Sequence, residues 1–143
     1  MTISSAPGLQ VKFVMPSSPR YLPVIRGTVA AFTAAIGWDE SECRAITLAL
    51  DEAVANVIRH AYHDRAEGVI ELECRESVDG LEVTMLDDGD PPDITKICSR
   101  EVGCDKPGGL GTHIIRDVMD SVSYQRAGSA NRFTARKVFR RKT

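Results

Sequence analysis

No excess of either charge marks this sequence: 18 lysines and arginines stand against 20 aspartates and glutamates, for a net charge of -2. That balance excludes a large electrostatic contribution to binding nucleic acid or an anionic membrane, and neither is expected as a partner. No apolar run approaches the ~18 residues that a membrane span requires. Met1 to Gly8 holds neither a charged n-region nor a long apolar stretch, so the expected location is cytoplasmic. The four cysteines (Cys43, Cys74, Cys98 and Cys104) form no C-x-x-C, and free thiols in a reducing compartment are the default. Internal repeats and low-complexity stretches are also missing.

What is present is ordinary in proportion. A chain of 143 residues with 43% hydrophobic and 27% charged residues suits one soluble domain able to bury a core without disulfide staples. The expectation is a single domain over 1–143, with its core spanning about 11–139. A basic cluster closes the chain, with Arg136, Lys137, Arg140, Arg141 and Lys142, and reads as a solvated final strand and tail.

Gln10 to Met15 alternates in polarity at first and predicts an opening strand. Leu22, Ile25, Val29, Phe32 and Ile36 recur at helical spacing. Pro23 belongs in the first turn of that helix, and Gly37 is a plausible stop. Asp39 and Glu42 predict a capping box for a second helix, with Trp38 stapled against Cys43. Ile46, Leu50, Ala53, Val57 and Ala61 form its apolar stripe, which runs to about Tyr62. Val69–Arg75 and Leu81–Leu86 read as strands joined through Ser77-Val78-Asp79-Gly80, a strong hairpin signal. Asp87 to Gly109 is loop-like, and connections of about twenty residues often serve function. Leu110 to Met119 resumes helical spacing, before a second hairpin of Val122–Arg126 and Asn131–Phe139. The order β-α-α-β-β-loop-α-β-β predicts an α+β two-layer sandwich, a mainly antiparallel mixed sheet covered on one face by helices.

Three polar clusters invite a chemical reading, although each also has a plain structural one. Glu52 and Asn56 are one helical turn apart. Counting about 100° per residue, the pair lies roughly 120° from the centre of the apolar stripe, on a flank that a polar ligand can reach. A carboxylate can deprotonate a hydroxyl, and an amide oxygen is a hard donor suited to Mg²⁺; a solvated helix face is the plainer account. Asp87-Asp88-Gly89-Asp90 ends an apolar strand, where a carboxylate can accept from an adenine amino group or simply mark an acidic turn. Gly108-Gly109-Leu110-Gly111 opens a helix, and backbone N–H groups there can face an anion. It is neither a Walker A motif nor a Rossmann fingerprint.

Taken in order, these segments resemble the GHKL (Bergerat-fold) ATPases, and within them the bacterial anti-sigma-factor serine kinases. Ala49-Leu50-Asp51-Glu52-Ala53-Val54-Ala55-Asn56 through His60-Ala61-Tyr62 is similar to the family's N box. Asp87-x-Gly89 resembles its adenine box, and Gly109-Leu110-Gly111-Thr112-His113-Ile114-Ile115 its phosphate box. Asn131-Arg132-Phe133-Thr134 is similar to its closing strand. The resemblance implies the histidine-kinase-like ATPase fold over about Val11 to Phe139, with ATP and Mg²⁺ as cofactors. It implies that Asn56 holds Mg²⁺, that Asp87 reads adenine with help from Thr134, and that Gly89, Gly109 and Gly111 give backbone room. Leu110 and Thr112 belong to the same phosphate segment. Glu52 becomes the general base for a protein serine, and residues 91–108 a lid in which Arg100 and Lys106 meet phosphate.

The implied activity is phosphorylation of an anti-sigma antagonist of the STAS type in a partner-switching system. A sigma factor is a further implied partner, and homodimerisation is implied too. Asp90-Pro91 stands where the fuller D-x-G-x-G box has its second glycine. That departure, with the atypical lid, supports an alternative: an ATP- or ADP-binding module that sequesters a protein without transfer. Cys98, Cys104 and His113 are too few, and wrongly spaced, for a structural zinc site. His60 and His63 share a ligand or, more simply, mark an exposed helix end.

Overall fold

Pro23 sits in the first turn of a helix that Gly37 ends with a left-handed φ of 119°, its N–H donating to Thr33 and Ala34 carbonyls. This helix, α1 (Leu22–Ile36), follows strand β1 (Gln10–Pro16) and a single 3₁₀ turn at Pro19–Tyr21. The structure is a computed structural model that describes residues 8–92 and 110–139. Helix α2 (Glu40–Asn56) starts where Asp39 accepts the Glu42 N–H at 2.9 Å, which satisfies one of the orphan donors of the first turn. The helix passes without a break into a π-helical turn at Val57–Ala61. Then come β2 (Val69–Ser77), β3 (Gly80–Asp87), α3 (Leu110–Val118), β4 (Ser121–Ala127) and β5 (Ala130–Val138).

The five strands lie in the order β1-β2-β3-β5-β4. Every pairing is antiparallel, so the mixed component expected of the sheet is absent among the described residues. Two tight turns set the register: Ser77 faces Gly80, and Ala127 faces Ala130. At the far end of β3, Asp87 lies directly opposite Asn131 of β5.

One sheet face turns Leu72, Val83, Met85, Phe133 and Ala135 into the core, where they meet Ile25, Val29 and Phe32 of α1 and Ile46, Leu50 and Val54 of α2. Ile115 and Met119 fill the same core from the last helical segment. Strand alternation puts Lys12, Glu71, Glu73, Thr84 and Arg132 on the other face, which carries no helix among the described residues. A two-layer α+β architecture results, with one face wet and one dry.

Local expectations change around the end of β5. Lys137, expected on a solvated strand, is buried: its Nζ donates to Val118 O at 2.8 Å and meets Glu42 Oε2 at 3.4 Å. Strand alternation turns it inward, and an acid and a helix C-terminus satisfy its charge. Glu42 therefore faces β5 as well as α2. The Trp38 ring stacks on Phe139 at 4.5 Å between centroids, and the Cys43 thiol donates to the Trp38 carbonyl at 3.5 Å. Arg140 to Lys142 lie outside the described residues.

Candidate functional site

Helix α2 carries Glu52 and Asn56 on the flank where the pattern put them, both partly exposed. The π turn then places Arg59 against the pair. Arg59 Nη2 donates to Asn56 Oδ1 at 2.7 Å and stands 3.7 Å from Glu52 Oε2. Inserting a π turn rotates the residues after it relative to a continuous α-helix, and such turns concentrate at functional sites. The donor set is a carboxylate and an amide oxygen, the hard oxygens that a divalent cation prefers. A cationic guanidinium already rests on both, so the pair suits a positive charge.

The end of the π turn is bolted to the acidic turn after β3. Asp90 N–H donates to Ala61 O at 2.9 Å. The Tyr62 phenol lies 2.8 Å from Val69 O and 2.6 Å from Asp88 Oδ1, and accepts the Asp88 N–H at 2.9 Å. Burial, then the Asp88 carboxylate, push this phenol up to about 12, so it stays protonated at neutral pH. Gly89 packs so closely that a Cβ there would stand 2.6 Å from Ala61 O and 2.7 Å from Ala61 Cβ. Glycine is required by space at this position.

Asp87 is buried at the strand end. Its Oδ1 accepts from Asn131 Nδ2 at 2.7 Å and from Gly89 N–H at 3.0 Å. Asn131 Nδ2 also lies 3.0 Å from Gly89 O, and its Oδ1 accepts from Arg126 Nη1 at 2.8 Å. Burial raises the Asp87 carboxyl above the ordinary carboxylate range, and the two donors pull partly the other way. The folded chain thus holds this proton more tightly than the unfolded one. The stabilising contribution is complete below the ordinary carboxylate value and is lost as pH rises through the raised folded value. Asp87→Asn keeps an oxygen for both donors and removes that loss. Urea denaturation at mildly acid and neutral pH should show unchanged or higher stability at neutral pH and a flatter pH dependence.

Thr134 is not beside Asp87. It pairs with Thr84, three residues from Asp87 on β3, and side chains three apart on a strand point to opposite faces. Asn131 is the β5 residue that reaches Asp87. The alternation of Asn131, Phe133 and Ala135 marks Asn131 as facing inward, but the pairing of β5 with β3 is what brings it to Asp87. Arg59 and Arg126 carried no such signal, because a single arginine on a polar face has no period. Leu110, Gly111 and Thr112 form the first turn of α3, which packs against α2. Gly109, Cys98, Cys104, Arg100 and Lys106 lie outside the described residues.

His60 is exposed, and His63, at φ 52°, turns away to pair with Asp90 at 2.6 Å. That bond holds the Asp90 carboxyl below the usual range. Cys43 and Cys74 are buried free thiols. Among the described residues no group of three or more metal-binding side chains forms, and no helix is long and apolar enough to cross a membrane.

Known proteins resemble this chain in sequence and in fold. The chain is 27% identical over 124 residues to the serine-protein kinases RsbW of Bacillus velezensis and Bacillus subtilis, covering 80% of this chain and 77% of each relative. Its backbone superposes on the crystal structure of the RsbU and RsbW domains of a Mycobacterium tuberculosis protein with a TM-score of 0.67 at 18% identity. That likeness covers 95% of this chain but 34% of the other, and it bears on the fold alone. The histidine kinase-like ATPase domain family matches residues 15–137, and the chain belongs to that family.

Proposed function

We propose that the chain is an ATP-dependent protein serine kinase and anti-sigma factor, which binds Mg-ATP and phosphorylates a STAS-type anti-sigma antagonist. The observation that carries this reading is the Glu52 carboxylate standing beside the Asn56 amide on one flank of α2, at the helix that also packs α3. The serine-protein kinase relatives support it.

Each side chain then has one task. Asp87 accepts the adenine amino group. Its Oδ1 is taken by Gly89 and Asn131, which leaves Oδ2 to accept from the ligand. Asn131 fixes that carboxylate. The N–H groups of Leu110, Gly111 and Thr112 that open α3 meet phosphate oxygens at the positive end of the helix, and Gly109 belongs to the same phosphate segment of the sequence. Asn56 is the protein ligand for Mg²⁺, which when bound offsets phosphate charge. Glu52 accepts a hydrogen bond from the substrate serine and takes its proton as the oxygen bonds the γ-phosphorus and the β–γ bridge breaks. Little else is required, because phosphoryl transfer depends mainly on positioning and charge.

Mg-ATP should stabilise the fold by about 2.7 kcal/mol at a hundredfold excess over Kd, raising the melting temperature by about 5–10 °C. No shift at millimolar nucleotide would overturn the site. Calorimetry run beside transfer of labelled phosphate onto the serine of a STAS-type partner separates kinase from binding module. Binding without transfer would leave only the module. Asp87→Asn should weaken nucleotide binding about tenfold, the cost of replacing an ionised acceptor with an amide.

A further inference from the structure

Arg59 serves no obvious purpose in the fold. It is half exposed, with side-chain exposure of 51%, and it belongs to none of the core contacts. Yet its guanidinium is aimed at the two side chains on which the proposed chemistry depends. The 2.7 Å bond to Asn56 Oδ1 is a charge-assisted contact of full strength in geometry, while the 3.7 Å approach to Glu52 is a looser ion pair.

The consequence follows from electrostatics. An amide oxygen that accepts from a guanidinium at 2.7 Å binds a divalent cation less readily, because two positive groups within a few ångströms repel. Metal binding at Asn56 therefore competes with Arg59. The π turn makes the arginine's departure easy to accomplish: Arg59 projects from the surface, and its long side chain can swing without disturbing Ile58 or Ala61, which are buried beside it.

We infer that Arg59 is a displaceable internal counter-ion, which holds Glu52 and Asn56 in position in the metal-free protein and sets the Mg²⁺ concentration needed to load nucleotide. The inference rests on the proposed reading of Asn56 as the metal ligand. Arg59 is a positioning residue here, acting on the metal through Asn56. Its effect is a threshold: below it the pair is neutralised by the arginine, and above it by the metal.

The test is a set of nucleotide-binding isotherms with the full chain, recorded by calorimetry at a series of Mg²⁺ concentrations. Wild type is compared with Arg59→Gln, which keeps donors without charge, and with Arg59→Ala. Both variants should reach half of the metal-dependent gain in ATP affinity at Mg²⁺ concentrations about three- to tenfold lower than wild type. Arg59→Lys, still cationic, should remain near the wild-type threshold. Circular dichroism melting verifies that each variant is folded, and Arg59 is exposed enough that all three should be.

An unchanged threshold in Arg59→Ala, with ordinary nucleotide affinity, overturns the inference and leaves the site intact. A weaker metal-free affinity for ATP with no fall in threshold also overturns it, since Arg59 would then be a phosphate ligand. Failure of wild type to bind nucleotide at any Mg²⁺ concentration removes the reading of the site, and the inference with it.

Discussion

Replacing Glu52 with glutamine is expected to slow phosphate transfer by about 10²–10⁴-fold while changing nucleotide affinity by less than about threefold. The substitution is nearly isosteric and removes only basicity. Its surroundings are prepared to tolerate it: the principal contact of Arg59 is the 2.7 Å bond to Asn56, and the approach to Glu52 is longer at 3.7 Å. The side chain is on a helix flank, partly open to water, so a neutral amide leaves no buried charge behind. Binding energy from adenine, phosphate and metal contacts would persist, because in the proposed site Asn56, not Glu52, is the metal ligand. Single-turnover transfer of labelled phosphate to the partner serine, measured beside calorimetric Kd, separates the two effects. Undiminished transfer by Glu52→Gln would remove the residue from the role of base. A parallel loss of affinity would place it among the binding groups instead.

Gly89→Ala is the second large effect, and it acts through packing. The added Cβ would stand 2.6 Å from Ala61 O, 2.8 Å from Ala61 C and 2.7 Å from Ala61 Cβ. All three atoms belong to the backbone or to a short side chain, so no flexible group can give way. Either the turn after β3 moves or the π turn does, and the Asp90 N–H to Ala61 O bond of 2.9 Å is strained in either case. Overpacking of this kind costs about 1–3 kcal/mol, and urea denaturation should show that loss. The same displacement shifts Asp87, whose Oδ1 accepts from the Gly89 N–H, and so nucleotide affinity should fall together with stability. Ala61→Gly in the same chain removes the Cβ half of the clash and should recover part of both. Wild-type stability in Gly89→Ala would show that the turn is far more yielding than its hydrogen bonds imply.

These two residues illustrate how much could be read in advance. Glu52 and Asn56 follow from a spacing of four on an apolar-striped helix. Helical geometry alone puts such residues on one flank, so their adjacency needs no tertiary information. Asp87 at the end of an apolar strand and glycines before a helix are likewise local patterns. The hairpins, the caps at Asp39 and Gly37, and the order of elements depend on residues near one another in the chain. Backbone preference and periodicity are short-range properties, and they were legible for that reason.

Other features depend on which strands lie side by side. Asn131 is opposite Asp87 only because β3 pairs with β5 rather than with β4, and Thr134 falls on the wet face by the same register. Lys137 is buried because α3 ends and α2 begins beside β5, supplying it with Val118 O and Glu42. The contact of Gly89 with Ala61 joins residues nearly thirty positions apart. In each case the partner is chosen by packing, which no local pattern encodes. The sequence by itself determined the elements, the flank bearing Glu52 and Asn56, and the acidic turn. Tertiary structure alone decided that Asn131 holds Asp87, that Gly89 must lack a side chain, and that Arg59 rests on the proposed metal ligand. The reason is physical: a side chain's own conformation is fixed by its neighbours in sequence, but its chemistry is fixed by its neighbours in space.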